Sequence, residues 1–242
     1  MTCINVLRRI PTGCRSIDEF LEGGIPPGSV SLVYGEPETG KTTLGIQCAV
    51  NCTLQGYKTL FVDCDGAFAP QRLSQIASES FEEIAGRIIL MKPKNFREQA
   101  TVIEQLTEYV NESFGLMIFD TITSLYRLKV AESPSKTFEL NRELNQQIAT
   151  LAQHAKIQRI AVLMLSQVRT AFNEATISIE PVATRVSKFW ADVTMKLKPT
   201  ESPQIIRAIL QKNPKKAPPV TCNLKIDETG IHDYPIHQWS RK

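Results

Sequence analysis

The stretch VSLVYGEPETGKTTLGIQC, Val30–Cys48, decides how the rest of the chain is read. Val30–Tyr34 is mostly apolar and largely branched or aromatic, as a strand covered on both faces requires. GEPETGKT, Gly35–Thr42, follows it and fits the pattern G-x-x-x-x-G-K-[ST]. Its glycines let backbone N–H groups wrap phosphate oxygens. Lys41 supplies a point charge to β and γ phosphates, and the Thr42 hydroxyl can ligate Mg²⁺. Lys41–Thr53 predicts a helix, whose positive N-terminal end adds to the same anion site. The candidate cofactor-binding residues of the motif are therefore Gly35, Glu36, Pro37, Glu38, Thr39, Gly40, Lys41 and Thr42. The competing reading, a glycine turn before an ordinary helix, has to explain both the lysine and the correct flanks.

Outward from this stretch, strands are predicted at Thr59–Val62, Ile88–Met91, Leu116–Phe119 and Ile160–Leu165, all short and apolar enough to be buried. Helical patterns lie between them at Ala69–Glu79 and Asn95–Asn111. Leu140, Leu144, Ile148, Leu151 and Ala155 mark one face of a further helix. Strand–helix alternation of this kind means a mostly parallel sheet with helices on both sides, an α/β fold of three layers. After Trp190 the pattern changes: Val193–Leu197, Ile205–Gln211 and Cys222–Ile226 read as strands joined by short turns, an antiparallel C-terminal extension. No Ser/Gly linker or internal repeat divides the chain, so residues 1–242 are expected to form one domain. Residues 1–10 form a lead and Asp227–Lys242 a loosely held tail.

Composition narrows the class. Hydrophobic residues make up 42% of the 242 and charged residues 22%, near globular averages. The formal net charge of +3 is too mild to announce a nucleic-acid partner by itself. Cys3, Cys14, Cys48, Cys52, Cys64 and Cys222 form no C-x-x-C pair, and no histidine lies near Cys48 and Cys52 to complete a zinc set. They are expected to be reduced core residues of a cytoplasmic protein. No apolar run is long enough to span a membrane, and no signal peptide is visible.

Two acidic stretches then matter. LMIFD, Leu116–Asp120, ends a strand in a carboxylate. Alone, Asp120 is as well read as a helix cap or turn residue; beside the phosphate loop it is expected to hold the magnesium. FVDCDGAF, Phe61–Phe68, brings Asp63 and Asp65 to the end of another strand.

The ordered set of PTGCRSIDEFLEGGIPPGSV (Pro11–Val30), GEPETGKT, FVDCDGAFAPQRL, LMIFDTITSLYR, AVLMLSQV (Ala161–Val168) and TGIHD (Thr229–Asp233) resembles the RecA/RadA recombinase superfamily. Within it, the chain is most similar to the short archaeal RadA paralogues. The resemblance covers roughly Pro11 to Asp233. It implies a RecA-like core that binds ATP with Mg²⁺ and acts in DNA repair and homologous recombination. It also implies weak ATPase activity, contact with single-stranded or branched DNA, and partnership with a RadA-type recombinase or a Holliday-junction resolvase. Carried over by position, Lys41, Thr42 and Thr43 hold phosphates and Mg²⁺, Asp120 orients the metal, and Gln167 senses the γ-phosphate. Arg72, in FAPQR, packs near adenine. Asp65 takes the catalytic, water-orienting place, with Asp63 as the competing candidate, read here as its support.

Three departures from the family pattern stand out. The chain begins about ten residues before the core, without the N-terminal domain and polymerisation motif of full RadA recombinases, so filament formation by the usual route is put in doubt. A homo-oligomer formed in another way stays open. The segment Arg169–Lys188 is modest for a DNA-pairing loop. Members that hydrolyse ATP well carry Glu where this chain has Asp65, one methylene shorter. A displacement of roughly 1 Å can cost ~10²-fold in rate.

The candidate DNA contacts are Arg127, Lys129, Arg169, Arg185 and Lys188, with Phe172 available to stack a base. The same cations also fit a solvated surface. KNPKK, Lys212–Lys216, fits a basic turn better than an element reaching a neighbouring subunit's phosphate. FNEA, Phe172–Ala175, has the F-x-x-A form of recombinase docking, a pattern short enough to arise by chance. Two other readings are kept: a nucleotide-gated interaction module with negligible hydrolysis, and a KaiC-like signalling ATPase.

Overall fold

The computed structural model describes the backbone of residues 8–173, 176–215 and 219–234; the side chains of 169–173, 176–181 and 184 lie outside the described set. The strands are β1 (Val30–Gly35), β2 (Lys58–Asp63), β3 (Ile88–Met91), β4 (Phe114–Asp120), β5 (Ala161–Asn173), β6 (Thr176–Pro181), β7 (Val193–Pro199), β8 (Ile205–Lys212), β9 (Val220–Asp227) and β10 (Gly230–Asp233). They order as β10-β9-β8-β7-β1-β5-β4-β2-β3, with β6 paired to β5. From β7 to β3 the pairs are parallel; β7-β8, β8-β9, β9-β10 and β5-β6 are antiparallel. This is the expected α/β architecture, with the expected C-terminal extension.

The central strands carry apolar side chains on both faces, and the pleat sorts them by alternation. Val33, Phe61, Leu116, Ile118, Leu163 and Leu165 face one core. Leu32, Tyr34, Leu60, Val62, Met117, Phe119, Val162 and Met164 face the other. The first core is closed by α1 (Arg15–Phe20), α2 (Lys41–Leu54), α3 (Pro70–Ala77) and α4 (Phe81–Ala85). The second lies under α5 (Phe96–Glu104), α6 (Leu106–Tyr109), α7 (Ser124–Glu132), α8 (Thr137–Gln158) and α9 (Thr184–Trp190). Each central strand thus buries residues in two layers at once, which is why these strands read as near-continuous apolar runs.

Four expectations change. Ile88–Met91 is not a buried strand but the sheet edge, with Ile89 39% and Leu90 38% exposed. Ile160–Leu165 is only the start of β5, which runs on past Gln167 into an antiparallel hairpin with β6. Asn95–Asn111 breaks into α5 and α6 at Gln105. Asp227–Lys242 is not all tail: Gly230–Asp233 pairs with β9 and is fastened to the rest of the chain. Gln47 donates to the Thr12 and Ile231 carbonyls at 2.8 and 2.9 Å and accepts from the Ile231 N–H at 2.7 Å. The Asp233 carboxylate accepts from the first amides of α1, Arg15 and Ser16, at 2.6 and 2.9 Å. A buried glutamine therefore ties the chain before α1, the helix after the phosphate loop and β10 into one block.

Candidate active site

Parallel strands deliver their C-terminal ends to one edge of the sheet, and a site forms there where the strand order reverses. Register does the first part of the assembly. Gly35 lies opposite Gln167, and Asp63 lies opposite Asp120. The phosphate loop, both acidic stretches and the glutamine are therefore neighbours before any side chain is considered.

The loop leaves β1 at Gly35, where a Cβ would stand 2.5 Å from the Leu197 carbonyl oxygen and 2.8 Å from Thr39 Oγ1. Only glycine fits between the loop and β7. Gly40 caps α2 with φ +78°, and a Cβ there would meet Ile226 Cδ1 at 2.7 Å. At Gly35 backbone thus approaches backbone, and at Gly40 it approaches the Ile226 side chain. Lys41 is buried, its Nζ donating to the Glu36 carbonyl at 2.6 Å, and Thr39 Oγ1 donates to the same oxygen at 2.8 Å. Burial pulls the Lys41 ammonium below the usual lysine range, against the charges of Asp120, Asp65 and Glu36.

Asp120 is fully buried at the end of β4. Neither carboxylate oxygen completes a hydrogen bond of good geometry, although the Thr42 hydroxyl stands close enough to favour its charge. Burial pushes the carboxyl up to about 6, the charges of Asp63 and Asp65 add to this, and Thr42 and Lys41 oppose it. A buried carboxylate with both oxygens unsatisfied needs a partner. A hard divalent cation with oxygen ligands fits this donor set, because Mg²⁺ takes one or two carboxylates and completes its shell with water and phosphate. Behind Asp120, Thr121 Oγ1 pairs with Ser124 and Thr123 Oγ1 with Ser166 Oγ at 3.2 Å. These hydroxyls bond each other, leaving the carboxylate to face Thr42.

The acids of FVDCDGAF part company here. Asp63 is buried and accepts from the Ala67 and Phe68 amides at 3.0 and 3.3 Å, with Lys92 Nζ at 3.4 Å. It folds the turn that follows it. Cys64 is buried too, its thiol pushed up by burial, and it packs rather than reacts. Asp65 is exposed: its Oδ2 accepts from Gln167 Nε2 at 2.9 Å, and Gln167 Oε1 in turn accepts from Arg127 Nη1. In the sequence Arg127 stands only among the candidate DNA contacts. Its bond to Gln167 joins residues 40 apart in sequence, which no local motif signals.

The remaining candidates fall in different places. Arg72 Nη1 donates to the Asp227 and Glu228 carbonyls at 2.9 and 3.1 Å, fastening α3 to the β9–β10 turn beside the loop. Arg127 and Arg185 come together on an apolar groove of about 800 Å³ whose walls include Tyr126, Val130, Asn141 and Val182. Lys129 pairs with Glu132 at 2.9 Å and lines a separate basic groove with Lys94 and Arg97. Lys188 lies with its Nζ 5.7 Å from the centre of the Tyr34 ring. Arg169 and Phe172 lie on β5, and their side chains are outside the described residues, as are Glu174 and Ala175 of FNEA. Lys212 donates to the Ala191 carbonyl of its own chain.

A phosphate loop, a metal-competent buried carboxylate and a carboxylate–amide pair at the C-terminal edge of a RecA-like sheet define a P-loop nucleotide-binding core. The Rad51 family model matches residues 4–234, so the chain belongs to that family, as a RadB-like recombinase paralogue. The DNA repair and recombination protein RadB of Thermococcus gammatolerans is 35% identical over 93% of this chain and 98% of its own. The protein of that name from Methanosphaera stadtmanae is 30% identical over 92% and 94%. A crystal structure of the RadB recombinase, at 32% identity, superposes with a TM-score of 0.79 over 93% of this chain and all of that one. Among the described residues no helix is long and apolar enough to cross a membrane.

Proposed function

We propose that the protein is an ATP-binding, Mg²⁺-dependent DNA repair and recombination factor that turns ATP over slowly and works beside a RadA-type recombinase. The observation carrying this reading is Asp120, buried next to Lys41 and Thr42 with both carboxylate oxygens unsatisfied. Gly35–Thr43 would cradle the phosphates, and Thr42 and Asp120 would hold magnesium, which when bound neutralises phosphate charge. Asp65 would accept a hydrogen bond from the attacking water and Gln167 would donate to the terminal phosphate. Arg72, near the β9–β10 turn, would border the base. Residues 1–242 would act as one core, in the cytoplasm at the nucleoid, with DNA bound across the face carrying Arg127 and Arg185.

Slowness is motivated by Asp65, which is short for its task and engaged by Gln167. The same observation supports the second reading, a nucleotide-gated module with negligible hydrolysis; the Rad51-family match favours recombination over the KaiC-like alternative. The test is nucleotide binding with and without Mg²⁺, followed by turnover with and without single-stranded and branched DNA. The proposal expects Mg²⁺-dependent binding and slow, DNA-responsive hydrolysis. ATP binding indifferent to Mg²⁺ would contradict it, and binding without measurable turnover would select the gated module.

A further inference from the structure

Two buried helix faces, otherwise apolar, each carry a glutamine. On α5 the enclosed residues are Phe96, Gln99 and Ile103; on α8 Gln147 stands among Leu140, Leu144, Ile148 and Leu151. Gln99 is 0% exposed and Gln147 4%. A leucine or methionine at either place would be buried without the cost of taking an amide out of water. The two amides meet: Gln99 Nε2 donates to Gln147 Oε1 at 2.8 Å. Gln147 in turn stands close enough to the Glu143 carboxylate, one turn earlier on α8, to favour its charge. Gln99 Oε1 has no partner among the described residues. A pair that leaves a buried acceptor unsatisfied is a poor device for stability alone.

The other hydrogen of Gln99 Nε2 shows what the pair holds. It goes to the Ile122 carbonyl at 3.2 Å, two residues past Asp120. The Ile122 amide donates the other way, to the Leu165 carbonyl of β5 at 3.1 Å. The Asp120 carbonyl itself accepts from the Cys64 and Asp65 amides, just past β2, at 2.6 and 3.2 Å. The backbone carrying Asp120 is therefore pinned on one side from β2 and on the other from β5 and α5. The bonds from β2 and β5 are backbone to backbone and do not depend on side-chain identity. The bond from α5 exists only because residue 99 is a donor.

We propose that Gln99 is a positioning residue for the metal site: by holding the Ile122 carbonyl it fixes the direction in which the Asp120 carboxylate is presented beside Thr42. Gln147 orients the Gln99 amide, so that both hydrogens of its nitrogen point at acceptors. This rests on the proposed Mg²⁺-dependent binding of ATP and adds what aims the carboxylate. Groups that orient a metal-holding side chain without touching the metal are commonly worth about 10- to 100-fold in metal affinity.

The test compares the affinity of the full chain for a hydrolysis-resistant ATP analogue in Mg²⁺ and in EDTA, for wild type, Gln99→Met and Gln147→Met. Methionine has the length of glutamine and no N–H to donate. Wild type should gain affinity from Mg²⁺. Gln99→Met should cut that gain about 10-fold or more and leave affinity in EDTA within about twofold of wild type. Gln147→Met keeps the donor to Ile122 but frees its amide, and should lose part of the gain. In the Asp120→Asn background Gln99→Met should remove no further Mg²⁺ dependence. Denaturant melts in EDTA report the fold separately. If Gln99→Met lowers stability but keeps the wild-type gain from Mg²⁺, Gln99 is a structural tie only and the inference is wrong. It is equally wrong if affinity falls by the same factor in Mg²⁺ and in EDTA, or if Gln99→Met still acts in the Asp120→Asn background. Should Gln99→Met not fold, Gln147→Met decides, and an unchanged gain there overturns the inference. A wild type whose analogue binding ignores Mg²⁺ would instead bring down the functional proposal and this inference with it.

Discussion

Asp120 and Asp65 stand at the same edge of the sheet, at or just past the ends of β4 and β2, and are held in opposite ways. Asp120 is fully enclosed, with its oxygens unsatisfied and its charge costly. Asp65 is exposed and satisfied, bonded to a glutamine that is itself held by an arginine from another helix. The first half of the site is built by tight packing around Gly35, against the β7 backbone, and Gly40, against Ile226 and Ile231, together with buried polar groups. The second is built by side chains that can exchange partners. Under the proposed function, nucleotide binding and nucleotide response would fall to different physical materials: a rigid, desolvated half whose buried carboxylate favours a cation, and a solvent-facing half held by side-chain hydrogen bonds.

The contrast can be broken at its rigid side first. Lys41→Ala should lower ATP affinity by more than about 100-fold, read by equilibrium binding, because the phosphates lose their buried cation. An effect as small as that of a surface lysine would mean the loop does not hold phosphate.

Asp120→Asn comes next. In the folded protein the carboxyl keeps its proton up to about 6, while the ordinary value is 3.8. Between those pH values the folded state binds more protons than the unfolded state, so stability falls as pH rises through the window and stays low above it. The gap corresponds to roughly 3 kcal/mol. Without magnesium or nucleotide, Asp120→Asn should therefore be more stable than wild type above the window and lose this slope, while also losing Mg²⁺-dependent binding. Denaturant melts across the window check the sign. A destabilised asparagine variant would mean that Asp120 already has a compensating partner.

The smallest expected effect sharpens the comparison between neighbouring acids. Asp63 is buried like Asp120, but two backbone amides satisfy it, and Lys92 is half exposed. Lys92→Ala should cost about 1 kcal/mol or less in thermal or denaturant melts. A much larger loss would show that Asp63 depends on the lysine rather than on its own turn.

Much of the rigid half was legible in the sequence, because its signals are local. A glycine pattern between a strand and a helix, and an acid ending an apolar run, are each contained in a few residues, and the parallel sheet follows from alternation. The responsive half was only partly legible. The strand predicted at Ile160–Leu165 stops where Ser166 and Gln167 break the apolar run, yet β5 continues through Gln167 into the β6 hairpin. Arg127 belonged to a scattered set of cations until the strand order put α7 beside the end of β5. The expected tail failed for a similar reason: TGIHD is short, and it is held by pairing with β9 and by bonds to Gln47, 184 residues away from Ile231, and to the first amides of α1. Pairings of that reach are set by topology, which periodicity does not encode.

The central claim is that the site binds ATP fully but completes the water-orienting half with a carboxylate that is one methylene short. Steady-state ATP turnover of wild type and Asp65→Glu, at saturating Mg²⁺-ATP with single-stranded DNA, tests it most directly. The account predicts that kcat rises by about 10-fold or more, toward the ~10²-fold that a 1 Å misplacement can cost, with ATP affinity little changed. A kcat that stays level or falls in Asp65→Glu, with ATP still bound, would contradict it.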